Sequence, residues 1–140
     1  TLSTMNTATT GAHQTMHGNP SSMDMFLVKF NPSGVLQWST YYGGSGADIG
    51  FCVCVDMTVE SGDVYVAGWT FSANNIATPG AHEDSMRLHN GSNQGAAFLV
   101  KFNPGGLRQW GTYYGSPFGL GNSCAVDKFG EASDNLCRLW

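Results

Sequence analysis

The 140-residue chain carries six Lys and Arg against ten Asp and Glu, a formal net charge of −4, and only 11% of its residues are charged. No basic cluster is present to follow a phosphate backbone or an anionic lipid surface, so nucleic-acid and membrane-surface partners are disfavoured. With 41% hydrophobic and 12% aromatic residues the composition is that of a folding chain, and no apolar run reaches the roughly 20 residues of a membrane-spanning helix.

Taken in chain order, a Thr/Ser/Asn-rich opening stretch gives way to short apolar runs separated by Gly, Pro, Asn and Asp, the punctuation of a β-meander. Strands are expected near 26–30, 35–42, 51–56 and 64–69. Asn31-Pro32-Ser33-Gly34 is a turn sequence, since Pro presets φ at its second position and Gly accepts a positive φ later; Ser61-Gly62-Asp63 serves the third and fourth strands in the same way. The pattern then starts again. Residues 26–43 and 98–115 are identical at 14 of 18 positions at an offset of 72, including the whole of Phe26-Leu27-Val28-Lys29-Phe30-Asn31-Pro32. Upstream, Thr9, Gly11, Ala12 and His13 pair with Thr78, Gly80, Ala81 and His82 at an offset of 69; downstream, Gly50, Val55, Asp56 and Trp69 pair with Gly121, Val126, Asp127 and Trp140 at 71.

The chain therefore divides into two repeat units, 1–69 and 70–140, the second with strands expected near 98–102, 107–114, 122–127 and 134–140. Met25 to Val28 is continuously apolar and Phe51 to Val55 carries Phe and Val on one face with Cys52 and Cys54 on the other, so both faces of these sheets need cover. No segment shows a capped apolar period of 3.6 residues that would mark a helix.

Phe26 to Gly34, Gln37-Trp38-Ser39-Thr40-Tyr41-Tyr42-Gly43-Gly44, Val55-Asp56, Gly62 to Gly68 and Thr78-Pro79-Gly80-Ala81 together resemble the SBBP repeat of bacterial β-propeller proteins. The resemblance spans nearly the whole chain and departs from the pattern at 133–140, where Asn135-Leu136-Cys137-Arg138 stands in place of Val-Tyr-Val-Ala. It implies an all-β fold of two tandem four-stranded antiparallel β-propeller blades, in an exported or cell-surface protein, and brings no catalytic residues. Propellers have about four to eight blades, so two blades need further repeats of a longer chain, a ring of subunits or a head-to-tail stack to cover their open faces. With neither an initiator Met nor a signal peptide at the start, Thr1 is expected to be internal to a precursor. Asn90-Gly91-Ser92 is an N-glycosylation sequon, which agrees with export, although such tripeptides also arise by chance.

Candidate chemistry is sparse. Cys52 and Cys54 lie two apart on one strand, too close along the chain for easy mutual bridging, whereas Cys124 and Cys137 fall on adjacent expected strands and are the preferred disulfide pair. As small buried hydrophobes the four need no role at all. His13 and His17 sit in a loop without carboxylate partners, and Asp48, Asp56, Asp63 and Asp127 form no calcium-loop spacing, so no metal is expected and no cofactor. No Gly-x-Ser-x-Gly elbow or equivalent nucleophile arrangement is present, and the chain is read as non-enzymatic. Trp38, Tyr42, Trp110 and Tyr114 recur in register and read either as sugar-stacking platforms or as core between sheets; their place inside strands favours core. The expected function is an extracellular structural or assembly protein, a segment of a larger surface protein or filament, whose partners are copies of itself or further repeats. The alternative is a carbohydrate-binding, lectin-like propeller completed by oligomerisation.

Overall fold

The computed structural model describes residues 1–3, 7–57, 62–115 and 118–126, together with the backbone of 138–139. Among them there is no helix. Eight strands run in order: β1 (Met25–Phe30), β2 (Leu36–Tyr42), β3 (Asp48–Val55), β4 (Val64–Thr70), β5 (Ala96–Phe102), β6 (Arg108–Tyr114), β7 (Gly121–Ser123) and β8 (Arg138–Leu139).

The turns behave as their sequences require. In the β1–β2 connection Gly34 N donates to Asn31 O at 2.9 Å, and the Asn31 side chain accepts from Ser33 N and Val35 N at 3.0 and 2.9 Å. Asn103 repeats every one of these bonds between β5 and β6, and the closing glycines Gly34 and Gly106 take φ of 76° and 83°. Both turns therefore need Asn to satisfy the loop amides and Gly to reach the left-handed region. In both hairpins the register slips just before the turn, after Lys29 and after Lys101.

The sheets are assembled differently from the expectation. β1 and β2 form a two-stranded sheet, β3-β4-β5-β6 a four-stranded antiparallel sheet, and β7-β8 a second two-stranded pair. The strands expected to make one sheet in residues 1–69 are thus divided, and the four-stranded sheet draws two strands from each repeat unit. Two features explain the correction. All seven residues of β4 pair with β5, from Val64↔Phe102 to Thr70↔Ala96, without a bulge. Meanwhile the short β2–β3 connection is pinned away from the β2 edge: Gly44 N and Gly46 N both donate to Ser72 Oγ, at 3.2 and 2.8 Å, and Ser45 N donates to Asn74 Oδ1 at 3.0 Å. The strand bounds also shift. The third strand is 48–55 rather than 51–56, and the seventh is 121–123, leaving 124–126 of the expected 122–127 outside it, while Asp127 lies outside the described residues. Residues 134–137 and Trp140 of the expected last strand lie outside the described residues.

The core lies between the β1–β2 hairpin and one face of the four-stranded sheet. Met25 and Tyr42 pack there on Val64, Val66, Phe98, Val100 and Phe102. Tyr42 is wholly buried, its ring 5.4 Å from Phe98 and 5.7 Å from Phe102, and its hydroxyl donates to Ile76 O at 2.6 Å. A buried polar cluster closes one end. Asp48 accepts from Thr70 Oγ1, from Ser72 Oγ at 2.7 Å and from Gly44 N at 2.9 Å. Burial pushes its carboxyl above the ordinary range against the pull of these three donors. The opposite face of β1 is bare, with Phe26, Val28 and Phe30 all exposed, and Phe51, Val53 and Val55 on β3 are exposed as well.

Candidate functional site

The site follows from a comparison of the two repeats. Trp38 on β2 and Trp110 on β6 occupy the same register opposite Lys29 and Lys101. Trp38 lies flat over the β5–β6 turn, its indole N–H donating to Pro104 O at 2.8 Å, and it is 9% exposed. That approach requires the glycine beneath it: a Cβ on Gly106 would stand 2.7 Å from the Trp38 ring. Trp110 has Tyr65 of β4 at 6.1 Å, edge to face, and is half-buried. Tyr42 and Tyr114 are also twins, yet Tyr42 is 0% exposed and Tyr114 48%. His13 and His82 complete the set. His13 stands 6.2 Å from Tyr42 and 5.9 Å from Phe102, wedged at the inter-sheet seam, whereas exposed His82 lies against the Tyr114 ring at 5.8 Å.

In the first repeat this surface is therefore filled by the β5–β6 turn and the face of the next sheet. In the second it is an open cleft of about 840 Å³, with Trp110, Tyr114, His82, Gln109 and Thr112 among its walls. The residues are the same; the neighbour differs. Burial and then the Arg108 guanidinium hold the His13 imidazole down at about 4.

Of the four aromatics considered as sugar platforms, the structure brings only Trp110 and Tyr114 to an accessible surface. Tyr42 and Trp38 present no open face. Asn90 sits at the tip of a tight, exposed turn between His89 and Ser92, with Asn90 and Gly91 both at positive φ, so the sequon is sterically open. Cys124 follows β7, while Cys137 lies outside the described residues, and the Cys124–Cys137 pairing with it. His17 does not join His13, because its ring nitrogens face the carbonyls of Asn19 and Thr1 at 3.0 and 2.9 Å. Among the described residues no group of three or more His, Cys, Asp or Glu is placed to hold a metal ion. Sequence reasoning missed Gly106 and Arg108, which cover Trp38 and the His13 seam from the next sheet. The repeat itself carried a signal for the first, since Gly34 and Gly106 match.

No family model matches the chain, and no curated protein matches it.

Proposed function

We propose that this is a non-enzymatic structural protein of propeller-type repeats, exported to the cell surface or beyond it, whose sheets stack on further sheets of the same kind. The observation that carries the reading is the unequal burial of identical residues. Trp110, Tyr114 and His82 stand where Trp38, Tyr42 and His13 stand, and in the first repeat that surface is covered by the next β5–β6 type hairpin. A surface with this composition, open at one end of the chain and filled at the other, is suited to receive another copy of the hairpin that fills it. At the opposite end β1 supports the same reading. It matches β5 in sequence, and β5 has β4 along the edge that β1 leaves unpaired among the described residues. Stacking supplies the missing sheets from further repeats or from other copies of the chain, and the open sequon turn at Asn90 agrees with an exported, glycosylated surface.

Electron microscopy of the native particle tests the reading. Rows or rings of stacked four-stranded sheets are expected; an isolated particle no larger than this 14.9 kDa chain would contradict it. A second reading, carbohydrate binding, is favoured by the cleft alone, where Trp110 and Tyr114 offer rings beside the polar Gln109 and Thr112. A glycan panel distinguishes the two. Binding that disappears in Trp110→Ala supports the second reading, and no binding at millimolar sugar removes it.

A further inference from the structure

Three cysteines meet on the far side of the four-stranded sheet. Cys52 and Cys54 lie opposite Ala67 and Tyr65 of β4, on the face away from the Tyr42 core. β7 packs on that face: a Cβ on Gly121 would touch the Ala67 methyl at 3.2 Å. The segment leaving β7 then delivers Cys124, whose N–H points at Cys52 Sγ from 2.9 Å and whose sulfur lies 2.8 Å from Cys52 Sγ and 3.9 Å from Tyr65 O. Cys54 also hydrogen-bonds to the Cys124 thiol. Cys52, Cys54 and Cys124 carry reduced thiols and all three are half-buried.

We propose that Cys52 and Cys124 are an oxidisable pair whose disulfide staples the four-stranded sheet to the β7–β8 sheet. The two sulfurs need to close by less than 1 Å to reach the ~2.05 Å of an S–S bond, with the Cys124 backbone already held by Cys52. The oxidant is a small-molecule disulfide such as oxidised glutathione. One protein thiolate attacks it, giving a mixed disulfide and one glutathione thiolate. The second protein thiolate then attacks the protein sulfur of that mixed disulfide, forming the Cys52–Cys124 bond and releasing the second glutathione. Two electrons pass to glutathione, and the two protein thiol protons end on the departing thiolates. Both thiols are pushed above their ordinary value, Cys52 by burial first and Cys124 by the Cys54 hydrogen bond first, so the thiolate is scarce at neutral pH. The staple therefore forms slowly at pH 7, and its rate climbs roughly tenfold per pH unit in the alkaline direction until the first thiol titrates.

The experiment is peptide mapping of the whole folded chain after incubation with oxidised glutathione. Trypsin separates the cysteines, leaving Cys52 and Cys54 in residues 30–87, Cys124 in 109–128 and Cys137 in 129–138. The expected product joins 30–87 to 109–128, less two hydrogen atoms. It forms in wild type and in Cys54→Ser, and at least about tenfold more slowly in Cys52→Ser, where only Cys54 remains on the strand. A join of 109–128 to 129–138, equal rates in the two serine variants, or four unmodified thiols after prolonged incubation at alkaline pH would overturn the proposal. Fragmentation of the joined wild-type peptide in the mass spectrometer, at the backbone bonds on either side of Val53, assigns the bond to Cys52 or to Cys54 even if a variant fails to fold, and a Cys54–Cys124 bond there would likewise overturn the proposal.

Discussion

Matched substitutions at the twin tyrosines measure what the neighbouring sheet contributes. Tyr42→Ala removes a wholly buried ring that packs on Phe98 and Phe102, together with a hydroxyl that donates to Ile76 O at 2.6 Å. Large aromatic truncations of this kind cost about 3–5 kcal/mol, a large share of the margin of a domain stable by about 5–15 kcal/mol. Tyr42→Phe separates the terms. It deletes only the hydroxyl, and since the Arg108 guanidinium also reaches Ile76 O at 3.3 Å, the carbonyl keeps a donor and the cost falls to about 1 kcal/mol. Tyr114 is half exposed, and in the dispersed chain Tyr114→Ala is expected to cost under about 1 kcal/mol and Tyr114→Phe nothing measurable. Urea unfolding followed by circular dichroism, on dilute samples where association is minimal, supplies the four values. Equal losses at Tyr42 and Tyr114 would refute the reasoning, because they would mean that residues 98–111 do not cover the first repeat in the way described.

Three further outcomes follow from the same geometry. His13 is held near 4 in the folded chain against 6.5 unfolded, so its contribution is present above the unfolded value and is lost as pH falls through 6.5 towards 4; because the ring is only half-buried, the loss is about 1–2 kcal/mol, and His13→Gln should flatten that part of the pH–stability curve in urea titrations at successive pH values. Asp48→Ala leaves the Thr70 and Ser72 hydroxyls without their buried acceptor, while Gly44 N keeps Ser72 Oγ, and is expected to cost about 2–5 kcal/mol in thermal or urea unfolding; a change under 1 kcal/mol would show that the cluster is not structural. Gly106→Ala both strains a φ of 83° and drives a methyl into the Trp38 ring, whereas Gly34→Ala meets only the strain at 76°, so the first should cost clearly more than the roughly 1 kcal/mol of the second and should alter Trp38 fluorescence.

Much of the local structure was legible before any coordinates. Asn31-Pro32 and Asn103-Pro104 announced hairpins because only one turn chemistry suits Asn, Pro and Gly at those positions, and both hairpins formed with the same bonds. Strand pairing across residue 70 was not legible. A repeat fixes a period but not the point at which a sheet begins, and the loop-pinning contacts of Ser72 and Asn74 that decide it are single side chains in a Ser/Asn-rich stretch without pattern. For the same reason the recurring Trp and Tyr identified a shared surface but could not say which copy was covered. Burial of Tyr42 comes from Phe98 and Phe102 in the other repeat, not from its own strand. The meeting of Cys52 with Cys124 was hidden too, since it depends on β7 crossing to the back of β3 and β4, and the one hint in the sequence is that the two cysteines stand 72 residues apart, about one repeat.

Sedimentation velocity of the purified chain over a range of concentrations, with and without Tyr114→Ala, bears most directly on whether these sheets are built to be covered by others like them. Growth from 14.9 kDa to larger species as concentration rises, weakened by the substitution, is the result the stacking account predicts. A single species at the mass of one chain at every concentration, unchanged by Tyr114→Ala, would contradict it.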